Sequence, residues 1–267
     1  MDTDENLRRS SAADRQRVII RDDQMDFARL LDLIRERRRN DLRLGLVDSG
    51  VFDPFQMEWL AEAGADIYTS NRARQDLSAV IMIGRAAKRG NAITAYFHRG
   101  ALASEEKSGP SSFAELGEMG RSGIDIHLSN KLGPLQWPKL EDLAESCQSG
   151  GARLVVYFHG PLAVELESLA RRGAWVHVSD ASLRGSEDIS LLTDCAASAR
   201  AHGARVIFHL EHPLPLDWLE DIFAADVSVL FKIPPTDYRS PLRPFERASK
   251  KCPPDFRASY IDATFLP

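Results

Sequence analysis

Four residues stand near the ends of short apolar runs, in places suited to metal or acid–base chemistry. They are Asp48 in "LGLVDSG", His98 in "TAYFHRG", His159 in "VVYFHG" and His209 in "VIFHLEH". Imidazole nitrogen and carboxylate oxygen are good ligands for Zn, Mn, Fe or Ni, so convergence on one axis would hold a divalent transition metal. Such an ion lowers the pKa of its bound water and polarises an ester, amide or phosphoryl group, which is hydrolytic chemistry. The plainer alternative is packed, hydrogen-bonded histidines supported by Tyr96 and Tyr157, copied by repetition without a function. His212 competes with His209 for the fourth place, because matching "HPL" to "HGPL" moves the column onto it.

A second column falls on the intervening runs: Tyr68, His127, His177 and Ser228, with Ser70, Ser129 and Ser179 two residues after the first three. His127, His177 and Glu211 are the candidates for moving protons. Arg72, Arg99, Lys131 and Lys232, with Arg184, lie just past run ends, where they would ring a mouth and grip a phosphate or carboxylate. Charged loops of this kind are also ordinary solvated surface. Lys232, between Phe231 and Ile233, has a further reading as an imine-forming nucleophile. Asn71, Asn130 and Asp180 follow the serines and read more simply as helix or turn caps than as substrate ligands.

These residues need a scaffold, and the chain repeats one. Four successive copies read strand, helix, strand: "LGLVDSG…ADIYTSN", "TAYFHRG…IDIHLSN", "VVYFHG…AWVHVSD" and "VIFHLEH…ADVSVLFKI". Between them lie longer segments such as "DLSAVIMIGRAAKRG" with apolar residues at three- and four-residue spacing, the mark of one helical face. Gly90, Gly150 and Gly203 end these segments, as glycines adopting the left-handed turn would. Short runs rich in Val, Ile, Phe and Tyr suit parallel strands buried on both faces. Eight strands from Leu44 to Ile233 predict an α/β fold, a (β/α)8 TIM-type barrel with fourfold internal repeat. An open doubly wound sheet is the runner-up, weakened by the missing glycine-rich fingerprint after the first strand.

In register, Asp48 and the three histidines form an inward layer at the carboxyl end, with Val47, Phe97, Phe158 and Phe208 facing the helices. Residues 1–16 read as a loose tail and 17–267 as one barrel domain. Within it "RVIIRD" and its helix are expected to cover the floor or side, and a proline-rich extension follows the last strand. The insertion at 103–112 and the segment "KIPPTDYRSPLRPFE" are long enough to serve as lids or as linkers.

The charge of −5 over 267 residues gives no electrostatic case for nucleic acid, and no run is long and apolar enough to span a membrane. Three cysteines without metal or redox spacing, and no secretory leader, point to the cytoplasm. Cys147 and Cys195 fall in helical patterns as core thiols, and ungrouped cysteines argue against an iron–sulfur radical enzyme. A homo-oligomer is left open.

The strand-end histidines resemble those of metal-dependent barrel hydrolases. The common amidohydrolase pattern is departed from, since no His-x-His pair closes the first strand and Asp48 stands there alone. The expectation is a metal-dependent barrel hydrolase acting on a small anionic substrate at the mouth. A metal-free lyase or isomerase using histidine acid–base chemistry, and a non-catalytic ligand-binding barrel, are the alternatives.

Overall fold

The computed structural model describes residues 18–100, 112–212, 214–225 and 227–231. Its strands are β1 (Val18–Arg21), β2 (Leu44–Val47), β3 (Asp66–Ser70), β4 (Thr94–Phe97), β5 (Asp125–Ser129), β6 (Leu154–Tyr157), β7 (Trp175–Ser179), β8 (Val206–Leu210) and β9 (Ser228–Phe231). The helices between them are α1 (Phe27–Arg39), α2 (Pro54–Glu62), α3 (Leu77–Arg89), α4 (Phe113–Arg121), α5 (Trp137–Ser149), α6 (Glu165–Arg171), α7 (Ser186–Ala201) and α8 (Leu216–Ala224). All nine strands form one sheet in chain order, and every neighbouring pair is parallel.

That consecutive order is the winding of a β/α barrel and sets aside the doubly wound alternative, whose order reverses about a switch point. The strand count differs from expectation. "VIIR" does not cover a floor or side: it hydrogen-bonds to β2 as β1, so the sheet has nine strands rather than eight. A strand has two edges, and β1 and β3 occupy both edges of β2.

Local signals start several helices. Asp26, Asp53, Asp76 and Ser112 each accept a backbone N–H of the first turn through the side chain. Gln56 and Glu115 return the bond to complete capping boxes. The helix ends work differently from the expectation for Gly90 and Gly150. Their φ values are −76° and −85°, and the left-handed positions pass to the next residues, Asn91 and Gly151. Only Gly203, at φ 73°, behaves as expected. Gly90 and Gly150 are there for packing: an added Cβ would lie 2.3 Å from Ala61 O and 2.1 Å from Gly120 O respectively. They let α3 close on α2 and α5 close on α4.

The sheet buries both faces. On the helix side, Leu46, Ile67, Tyr96, Ile126, Val156, Val178, Phe208 and Leu210 join helix residues in three core clusters. On the other, inner face, Val47, Tyr68 and Ala95 form their own cluster with Ile19 and Phe97. Cys147 and Cys195 are buried on the helix side, as expected, and burial pushes both thiols up to about 12.

Candidate active site

Alternation along the strands places an unbroken series of rings on the inner face. Tyr68 leans on Phe97 (centroids 6.5 Å), Phe97 stacks on His127 (4.1 Å), and His127 stacks on Tyr157 (5.9 Å). Tyr157 then meets His177 (4.4 Å), and His177 meets His209 (5.2 Å). Six consecutive strands, β3 to β8, each give one ring. The second column of the sequence, Tyr68, His127 and His177, therefore shares this face, and Ser228 pairs in register with the inward Ile207.

The rings are joined by polar contacts toward one end. His127 Nδ1 lies 3.2 Å from Tyr157 Oη, and His177 Nδ1 lies 2.9 Å from His209 Nε2. The second pair is a direct imidazole–imidazole hydrogen bond between buried side chains, 7% and 6% exposed. One nitrogen donates and the other accepts, so the pair can pass a proton along its own axis. His127 is different. Burial pulls its pKa down to about 3, so it stays neutral at ordinary pH and is a weak base there. Its place in the series is to orient Tyr157 rather than to exchange protons.

The layer of Asp48, His98, His159 and His209 does not form. Backbone bonding shows the true register: the N–H groups of Asp48, His98 and Phe158 donate to the carbonyls of Tyr68, His127 and His177. Phe158, not His159, is thus the counterpart of Asp48 and His98, and these three lie in helix-side phase. Val47 and Phe97 take the inward positions in place of Asp48 and His98, while Phe158 and Phe208 face the helices as expected. A one-residue slip exchanges the faces of a strand, and this is the reason for the error.

Asp48 is also fully occupied. Its carboxylate receives Arg74 Nε (2.9 Å) and Nη2 (3.0 Å), Thr69 Oγ1 (2.7 Å) and Gly50 N (2.9 Å), at 0% exposure. His98 is buried, His159 is exposed in the loop after β6, and only His209 lies in the inner series. Among the described residues, no group of three or more His, Cys, Asp or Glu is placed to hold a metal ion.

The mouth loops reveal a bonding pattern that recurs four times. Asp22 accepts the N–H of Ser49, Asn71 that of Arg99 (2.7 Å), Asn130 that of His159 (2.7 Å) and Asp180 that of Glu211 (3.0 Å). Asn71 and Asn130 also donate to the carbonyls of Arg99 and His159. The sequence reading has Asn71, Asn130 and Asp180 as caps of the following helix or turn. Instead each ties its loop to the loop after the next strand, and Ser129 takes the capping role by accepting Lys131 N. Asp22 is buried with its two oxygens on Ser49, and desolvation raises its pKa.

Asp180 does more than clamp backbone. Its buried carboxylate takes His212 N (2.9 Å) and His212 Nδ1 (2.7 Å), leaving a His212 side chain that is 72% exposed. A carboxylate fixing one imidazole nitrogen while the other faces solvent is a general-base arrangement. The sequence offers His212 only as a rival to His209 and carries no sign of this partner, because Asp180 reads there as a cap. Glu211 is exposed beside it.

Arg72 is exposed and Arg99 half-buried, each in a loop at the carboxyl end, and Lys131 is exposed after β5. Lys232, Cys252, the lid segments and the N-terminal tail lie outside the described residues, apart from Ser112 at the end of the insertion.

No family model matches the chain, and no curated protein matches it. Solved structures do. A 3-dehydroquinate dehydratase from Aquifex aeolicus VF5 has 12% identity over 88% of this chain and 97% of its own, with a TM-score of 0.35. A citrate synthase variant has 16% identity over 82% and 98%, also at a TM-score of 0.35. A mandelate racemase/muconate lactonizing protein from Herpetosiphon aurantiacus has 11% identity over 77% and 50%, at 0.32. At these scores the likeness assigns no chemistry to this chain.

Proposed function

We propose that the chain is an enzyme that moves protons on a small molecule, a lyase or isomerase, with His177 and His209 as its acid–base pair. The observation that carries this reading is the 2.9 Å bond between the two buried imidazoles, one at the middle of β7 and the other next to the last residue of β8. Imidazole is the side chain suited to give and take protons near neutral pH, and two in contact allow a proton taken by one to leave from the other. Tyr157 packs its ring on His177, and its hydroxyl is held by neutral His127 on the side away from the pair. The metal-dependent hydrolase reading required Asp48, His98, His159 and His209 to converge, and their placement removes its support.

The test is solvent exchange. A panel of small oxo- and hydroxy-acids is incubated with the protein in D2O, and proton loss, deuterium uptake or elimination is followed by NMR. His177→Asn and His209→Asn should each lower the rate of any reaction found by about 10²–10⁴-fold. Wild-type rates in both variants would refute the assignment.

A further inference from the structure

Two arginines at the mouth are not used by the acid–base pair. Arg72 follows Asn71 in the loop after β3, and Arg99 lies in the loop after β4. The Asn71 carboxamide bonds Arg99 on both sides, accepting its N–H at 2.7 Å and donating to its carbonyl at 2.9 Å. The clamp holds the Arg99 backbone against the residue next to Arg72, so the two arginine side chains leave from adjoining loop positions. Arg99 is half-buried there, and burial together with the charge of Arg72 draws its pKa down.

Three other arginines near the sheet are paired with carboxylates. Arg74 is paired with Asp48, Arg43 with Asp66 and Arg153 with Asp125. Among the described residues, no carboxylate is bonded to the guanidinium of Arg72 or Arg99. A protein gains nothing in stability by clamping two like charges side by side, one of them partly desolvated. The same arrangement is suited to a ligand that brings negative charge, since guanidinium planes bind carboxylate and phosphate through paired bonds. Phe97 and Tyr68, just below on β4 and β3, begin the series of rings that ends at His177 and His209.

We infer that Arg72 and Arg99 form an oxyanion subsite that grips a carboxylate or phosphate group of the substrate. The inference deepens the acid–base reading and rests on it for the word substrate. Its test measures binding alone, so the two can fail separately: turnover lost in the histidine variants says nothing of the subsite, and binding lost in the arginine variants says nothing of the pair.

Inorganic phosphate and malonate are titrated separately into the full chain by calorimetry at low ionic strength. Saturable binding of at least one is expected. Arg72→Gln and Arg99→Gln should each weaken it about tenfold or more. Arg99→Lys, which keeps the charge and loses the fork, should weaken it less than Arg99→Gln. Arg200→Gln, on the last turn of α7 at the opposite end of the sheet, should leave it unchanged. Binding of phosphate alone points to a phosphate ester, of malonate alone to a carboxylate, and either supports the subsite if the arginine variants lose it. No saturable binding of either anion, or equal binding in wild type and both Gln variants, would overturn it.

Discussion

Replacing His127 with Phe should change how the fold responds to acid. In the folded chain the imidazole accepts a proton only near pH 3, against an ordinary value of 6.5. Between those values the unfolded chain binds one more proton than the folded chain, so stability is complete above 6.5 and falls as the pH drops. From about pH 7 to about pH 5 the loss from this one group is about 2 kcal/mol, as the proton difference rises from about a quarter to nearly one. Phe keeps a ring against Phe97 and Tyr157 but does not titrate. Denaturant unfolding of both proteins at the two pH values gives the double difference directly. Wild type should lose about 2 kcal/mol more than the variant on acidification. Asp22, whose pKa is raised by burial, stabilises in the opposite direction as pH falls, and it cancels because both proteins carry it. A double difference below about 0.5 kcal/mol would show that His127 is not held neutral by burial, and the orienting role given to it would fall.

Three further outcomes are expected. Arg74→Met leaves the Asp48 carboxylate buried without its cation and should cost about 3–5 kcal/mol by denaturant titration, with part recovered when Asp48 is also made apolar. Gly150→Ala forces a methyl group onto Gly120 O and should cost about 1–3 kcal/mol, seen as a lowered Tm, although Ala is the better helix former. In a Cys252→Ser background, Cys147 and Cys195 should resist a thiol reagent at pH 8 until the chain is unfolded, because burial suppresses the thiolate.

Much of the architecture was legible because the chain states it in two periods. Short Val- and Ile-rich runs and helical spacings alternate from Leu44 onward, and the sheet follows them strand for strand. The edge strand at Val18 was underread, since a four-residue run outside the repeat carries no sign of which strand it will join. The site was only half legible. Tyr68, His127 and His177 lie on strands of equal length and came out on one face as alternation requires. Strands β4 and β6 misled because "YFH" at 96–98 and at 157–159 sits in opposite phases. Tyr96 faces the helices, whereas Tyr157 faces inward.

No constant offset could have revealed that slip. The Asx side chains reach the next loop across 27, 28, 29 and 31 residues in turn, so each copy must be placed by its own hydrogen bonds. Identity of letters aligned the histidines, but backbone pairing decides which way each one points. The Asp180–His212 contact was hidden for a related reason, since it joins two loops whose separation in sequence reflects nothing about their distance in space.

The proposed proton chemistry depends on the hydrogen bond that His177 and His209 share inside the barrel. The most direct measurement is 15N NMR of histidine-labelled protein, searching for coupling across the bond between His177 Nδ1 and His209 Nε2. A resolved coupling is expected that vanishes in either Asn variant, with a change in titration at the surviving ring. Two imidazoles that show no coupling and titrate without regard to each other would contradict it.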